Sequence, residues 1–282
     1  RPGEEVRLSG RLLSRVAEKK LEPTRGRFVT VDEARKMTPE ALFSALPHLT
    51  SAELCERFLP ETVVIDLSAD FRHKDTSLFE RAYGAPPPRT ELLSQAVYGL
   101  TEHYREQLRT TQLIGTPGCY PTCALLPLTP LADHGLLRPP VIINAMSGIS
   151  GAGRKAKENL LFAERAENVN AYSPGRSHRH LYEIEEQLRA HGAFFGSTGH
   201  SQGAGTSAQE DRKPQGDIVN QEAAPLLFTP HLVPIKQGMA ATITVPANES
   251  TADEAISLLH RRYQNEPFVE VIEERIPETI EV

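Results

Sequence analysis

The sequence predicts an α/β fold built as two domains. Three observations carry this expectation. Short β-rich runs alternate with helical stretches along the chain. Two of those runs, Thr62–Leu67 (TVVIDL) and Val141–Met146 (VIINAM), read as buried strands. At ~150 residues per domain, a chain of 282 residues has a prior of about two domains.

Taken in order, Val6–Leu8 opens as a strand and Arg11–Leu21 can be helical. Leu42–Leu46 is a short apolar run, and Ser51–Leu59 reads as a helix. Thr62–Leu67 supplies four β-branched residues before Asp66. Arg81–Thr90 holds a proline triplet and is loop. Gln112–Gly115 is strand-like, and the apolar run Pro121–Leu131 is expected to be helical. After the strand Val141–Met146 come helices over Arg154–Arg165 and Leu181–Ala190. Gly192–Asn220, rich in Gly, Ser and Gln, reads as an exposed insertion. Leu226–Val233 and Met239–Val245 are strands, and Asp253–Tyr263 is a helix.

Composition excludes several classes. Hydrophobic residues make up 39% and charged residues 24%, which is a globular balance and not that of a disordered or fibrous chain. The formal net charge of −6, with no basic block, argues against nucleic acid or an anionic membrane as partner. No apolar run reaches the ~18 residues of a membrane span, and no secretory leader opens the sequence. Three cysteines make no disulfide framework and fit a reducing cytoplasm.

The strongest local signal is Gly115-Thr-Pro-Gly-Cys-Tyr-Pro-Thr122, where a strand ends in a Pro-Gly turn ahead of an apolar helix. This puts Cys119 at or beside a helix N-terminus, where unpaired N–H groups and the macrodipole stabilise a thiolate. A thiolate is the nucleophile of covalent catalysis. Most free cysteines are small buried hydrophobes, and Cys123 keeps that reading. The pair Cys119–Cys123 lacks a second pair with fitting spacing, so no metal site is expected. A nucleophilic thiol needs an acid/base partner, and Ser177-His178-Arg179-His180 offers two imidazoles at a helix start. The loop from Ser147 to Lys155, with Gly148, Gly151 and Gly153, can approach an anion or flat ring closely or be a plain strand-to-helix turn. Arg72, in Asp66-Leu-Ser-Ala-Asp-Phe-Arg, either holds a carboxylate or phosphate or pairs with Asp70 or Asp75.

These segments resemble one family. GTPGCYPT, SGISGAGRK, SHRHLYEIEEQL, VIDLSADFR, SALPH and FTPHLVP occur in the same order in the N-acetyl-gamma-glutamyl-phosphate reductases, within the aspartate-semialdehyde dehydrogenase superfamily. The resemblance covers most of residues 6–272 and implies a Rossmann-like NADP-binding domain over residues 1–118. An α+β catalytic and dimerisation domain would follow over residues 119–282. It implies NADPH-dependent reduction of N-acetyl-L-glutamyl 5-phosphate, a small-molecule acyl phosphate, through a thioester on Cys119. His178, or else His180, is the implied acid/base. Arg72 and Arg154 match substrate-site positions. Ser14 and Arg15 match the family's contact to the 2′-phosphate of NADP(H). Ser44 and Pro47, with Gly148, Gly151 and Gly153, match positions along the cofactor. A homodimer or homotetramer is implied. The family's glycine-rich pyrophosphate turn is expected upstream of Arg1, and its C-terminal glycine-containing helix after Val282. The alternatives are a related reductase of carrier-bound aminoadipyl phosphate, a remnant keeping only the subunit interface and, more distantly, a cysteine hydrolase.

Overall fold

The computed structural model describes residues 5–8, 24–27, 29–153, 157–193 and 226–279. The chain divides into two compact units. Arg1–Gly118 with His260–Glu273 forms one, and Cys119–Leu259 with Glu274–Val282 forms the other.

The first unit is built on a parallel sheet. Its strands are β3 (Ala41–Ser44), β4 (Val63–Asp66), β5 (Val97–Tyr98) and β6 (Leu113–Gly115), in the order β3-β4-β6-β5. Every pair in it is parallel, with Ser44, Asp66 and Gly115 level at the carboxyl ends. A separate antiparallel pair, β1 (Glu5–Leu8) and β2 (Thr24–Arg27), precedes this sheet. Four helices accompany them: α1 (Val31–Lys36), α2 (Ser51–Glu56), α3 (Thr76–Tyr83) and α4 (Thr101–Leu108). Helix α2 packs on β3 and β4. Around it the core gathers Ala52, Cys55, Phe58, Val64, Phe71, Leu93, Ala96 and Leu113.

Residues 260–273 join this unit through polar contacts. His103 Nε2 meets the Tyr263 hydroxyl at 2.9 Å, and Arg105 pairs with Glu266 at 2.5 Å. Gly115 has to be glycine here, because a Cβ would come 2.4 Å from the Phe71 carbonyl oxygen.

The second unit has a mixed sheet. Its strands are β7 (Val141–Ser147), β8 (Asn170–Ala171), β9 (Leu226–Leu232) and β10 (Met239–Thr244), in the order β10-β7-β9-β8. Strands β7 and β9 are parallel, and the two outer pairings are antiparallel. Helix α5 (Cys119–Asp133) packs against α7 (Arg179–Ala190), with α5 also touching β10 and α7 touching β9. Alternation along β7 buries Val141, Ile143 and Ala145 and leaves Asn144 and Met146 exposed. Helix α8 (Glu249–Tyr263) starts earlier than the apolar pattern suggests, because Asn248 Oδ1 accepts the Thr251 N–H at 2.9 Å.

The helix expected over Arg154–Arg165 is mostly absent among the described residues. Glu158–Leu160 is one 3-10 turn, and α6 (Phe162–Arg165) is a single turn. Phe162 is 85% exposed and Leu161 55%, so no apolar face is buried to hold a longer helix. No helix among the described residues is long and apolar enough to cross a membrane.

Candidate active site

In the first unit the described candidates Ser44, Pro47 and Arg72 end or follow the parallel strands β3 and β4, on the side where open α/β sheets bind ligands. Ser44 ends β3, but its hydroxyl is buried and lies 2.6 Å from that of Ser51. Ser51 donates to Asp66 Oδ1 at 2.5 Å, and Ser68 donates to Asp66 Oδ2 at 2.6 Å. Burial raises the Asp66 pKa, and these hydroxyls oppose the rise. Asp70 accepts the N–H groups of Leu49 (2.7 Å), Ser51 (3.0 Å) and Ala52 (3.0 Å), and so ties the loop after β3 to the start of α2. Within that loop Ala45, Leu46 and Pro47 are exposed. This uncharged strip beside the strand ends suits the flat rings and sugars of a dinucleotide.

Arg72 is anchored on two backbone carbonyls. Its Nε donates to the Thr116 carbonyl at 2.7 Å and its Nη2 to the Leu67 carbonyl at 3.0 Å. Asp75 caps α3, accepting the N–H groups of Ser77 and Leu78. Arg72 therefore stitches together the segments that follow β4 and β6.

In the second unit Cys119 is the first residue of α5 and is exposed, whereas Cys55 is buried and Cys123 half-buried. Burial lifts the Cys55 thiol to about 11 and also raises that of Cys123. Behind Cys119, Tyr120 is 3% exposed. Its ring lies 5.6 Å from His178, 6.0 Å from His180 and 5.3 Å from Phe228, each edge-on. Tyr172 donates its hydroxyl hydrogen to the Tyr120 oxygen at 2.9 Å. Burial pushes the Tyr120 hydroxyl well above the usual tyrosine range. Burial raises the Tyr172 hydroxyl too.

His178 is the N-cap of α7, and its Nδ1 accepts the His180 N–H at 3.2 Å. Burial, followed by the adjacent Arg179 guanidinium, lowers its pKa to about 4, so the ring is neutral at pH 7. His180 is buried on the same helix turn, 4.9 Å from His178 ring to ring.

The glycine loop has a plain structural use. Gly148, Ile149 and Ser150 donate their N–H groups to the carbonyls of Gly238, Ile235 and Lys236 at 3.0, 2.9 and 3.0 Å. A Cβ on Gly148 would come 2.8 Å from the Gln237 backbone, and one on Gly151 would come 2.5 Å from Ser147 Oγ. Gly153 has φ +83°, with open space around it. With those three amides committed, residues 148–150 offer a ligand little backbone hydrogen bonding. Ser14, Arg15 and Arg154 lie outside the described residues, as does the helix expected over Arg11–Leu21. Among the described residues no group of three metal-ligating side chains comes together.

Sequence reasoning missed Tyr172, Phe228 and the pair Arg176–Glu185. Only Tyr120, next to Cys119, carried a local signal.

Comparison with known proteins bears on this site. Residues 119–200 and 209–282 match the family described as semialdehyde dehydrogenase, dimerisation domain, and residues 6–111 match semialdehyde dehydrogenase, NAD binding domain. The chain is 38% identical over 244 residues to the N-acetyl-gamma-glutamyl-phosphate reductase of Acetivibrio thermocellus, covering 85% of this chain and 62% of that one. It is 41% identical over 236 residues to the same-named protein of Desulforudis audaxviator, with 83% and 60% covered. It is 37% identical over 250 residues to a probable chloroplastic one of Arabidopsis thaliana, with 88% and 55% covered. The chain thus spans about three fifths of the length of the curated relatives it matches. Its fold is like that of a probable aspartate-semialdehyde dehydrogenase from Pseudomonas aeruginosa, with a TM-score of 0.53 at 17% identity, covering 91% of this chain and 70% of that one. The dimerisation-domain match alone extends over more than half of the residues, and the chain belongs to the semialdehyde dehydrogenase family.

Proposed function

We propose that this chain carries the catalytic machinery of an N-acetyl-gamma-glutamyl-phosphate reductase, which reduces N-acetyl-L-glutamyl 5-phosphate to the 5-semialdehyde in arginine biosynthesis. The observation that carries the reading is the exposed Cys119 thiol at the first residue of α5. The identities to proteins of that name support the substrate.

In this reading the Cys119 thiolate attacks the acyl carbon and phosphate leaves, giving a thioester on Sγ. NADPH supplies the hydride that reduces this thioester. Cys119 then departs from the hemithioacetal carbon as thiolate, and the semialdehyde is released. His178 is the acid/base partner favoured over His180, because it caps α7 at a half-buried position, whereas His180 is buried. The helix N-terminus favours the thiolate through its N–H groups. Arg72 and Arg154 are assigned to the substrate. Ser14 and Arg15, with Ser44, Pro47, Gly148, Gly151 and Gly153, are assigned to NADP(H). For Ser44 the contact is backbone, since its hydroxyl is turned into the protein.

Residues 1–118 would be the cofactor domain, and residues 119–282 the catalytic and subunit-contact domain. The sheet face of Asn144, Met146, Leu227 and Thr242 is exposed and fits a second copy of the chain, as the dimerisation-domain match suggests. A homodimer or homotetramer in the cytoplasm follows, with none of the three cysteines in a disulfide.

The test is the reverse reaction. Purified protein given N-acetylglutamate semialdehyde, phosphate and NADP should produce NADPH. Turnover only with the aminoadipate semialdehyde on its carrier would move the substrate assignment, and turnover of an activated ester without cofactor would reject the reductase.

A further inference from the structure

The segment that delivers His178 is held from outside itself. Between β8 and α7 the backbone takes positive φ at Gly175 (+68°), which suits a glycine, and at Ser173 (+42°), which is strained for a residue with a side chain. Arg176 then folds back onto α7. Its Nη1 and Nη2 donate to the two carboxylate oxygens of Glu185 at 2.7 and 2.8 Å. Glu185 is buried, with a side chain 2% exposed, while that of Arg176 is 35% exposed. Tyr182 donates its hydroxyl to the Arg176 carbonyl at 3.1 Å, and its ring lies 5.6 Å from the guanidinium. Two residues on, His178 Nδ1 accepts the His180 N–H. A nitrogen that accepts holds no hydrogen, so in the neutral ring the hydrogen is on Nε2.

We infer that the Arg176–Glu185 pair is a positioning clamp that sets His178 as the N-cap of α7, so that its ring presents Nε2–H as a hydrogen-bond donor. Arg176 and Glu185 are positioning residues, acting through His178. The inference rests on the proposed reductase reading for what that donor serves, the acid side of the acid/base role of His178: the oxygen that gains negative charge when Cys119 adds to the acyl carbon and again when the thioester is reduced. The groups that face the ring agree with a neutral donor. Tyr120, Tyr172, His180 and Phe228 pack around it, and Arg179 is the charged group beside it.

The test uses the whole protein labelled with 15N-histidine, so that long-range 1H–15N spectra report the His178 tautomer without any turnover. The wild type should show Nε2–H with an unprotonated Nδ1. Arg176→Met should mix the tautomers and lower kcat by roughly 10²-fold with KM unchanged, as expected of a misplaced group. Arg176→Lys, which keeps the charge and loses the fork, should fall between. If Arg176→Met leaves Glu185 with only the longer 3.8 Å pairing to Arg189 and does not fold, Arg176→Met combined with Glu185→Met removes the buried carboxylate and should show the same mixing. A folded variant that keeps the wild-type tautomer and kcat overturns the clamp. A tautomer change in protein with no reductase activity leaves the clamp standing and rejects the function it was assigned.

Discussion

The Tyr172 hydroxyl donates to that of Tyr120 at 2.9 Å and joins the residue after β8 to the second residue of α5. Tyr120 also lies 3.5 Å from the His231 carbonyl. The two phenols thus sit in one ring cluster with Phe228, His178 and His180.

Tyr120→Phe removes the acceptor for Tyr172 and should cost about 1 kcal/mol in stability. Chemical denaturation checks the value. Because Cys119 directly precedes Tyr120 in the chain, the same substitution should also alter the rate at which Cys119 is alkylated.

The three thiols should separate cleanly in reactivity. Cys119 is exposed, whereas burial raises Cys55 to about 11 and raises Cys123 as well. Iodoacetamide at pH 7 followed by peptide mass analysis should label Cys119 first, with Cys55 and Cys123 protected until the protein unfolds. Cys119→Ser should abolish reduction with the melting temperature unchanged, whereas Cys123→Ser should move stability more than rate.

Legibility in the sequence followed how local each interaction is. Cys119 at a helix start and His178 at the head of α7 were readable from a few adjacent residues. So were the buried strands β4 and β7, whose apolar runs need no partner to identify them. Helices α1 and α4 were not, because neither buries a single residue fully and so neither shows an apolar stripe. The expected Arg154–Arg165 helix failed for the opposite reason. Its apolar residues Leu161 and Phe162 suggested a face that the fold leaves exposed. The Tyr120–Tyr172 bond joins residues 52 apart, and no local pattern encodes such a contact.

Protonation of His178 links stability to pH. Its pKa is lowered from 6.5 to about 4, so between these values the unfolded chain binds more protons than the folded one. Stability is therefore full above about pH 6.5 and falls as pH drops toward 4. After solvent screening the loss should be ~1–2 kcal/mol. Denaturation at pH 7 and pH 4.5 measures it, and His178→Gln should flatten the difference.

Two backbone-dependent sites should be intolerant. In Gly115→Ala the new Cβ would meet the Phe71 carbonyl at 2.4 Å, and the cost should be at least about 1–3 kcal/mol. Asp70→Ala frees three N–H groups at the loop after β3 and should cost a similar ~1–3 kcal/mol. Amide exchange should then rise at Leu49, Ser51 and Ala52 before it rises in β4.

The central claim is that Cys119 becomes acylated by the substrate. Mixing the protein with N-acetyl-L-glutamyl 5-phosphate in the absence of NADPH, quenching in acid and weighing the intact chain tests it most directly. The account predicts one N-acetylglutamyl adduct, mapped by peptide analysis to Cys119, released by hydroxylamine and missing in Cys119→Ser. An adduct that persists in Cys119→Ser, or protein that stays unmodified while it turns the substrate over, would contradict it.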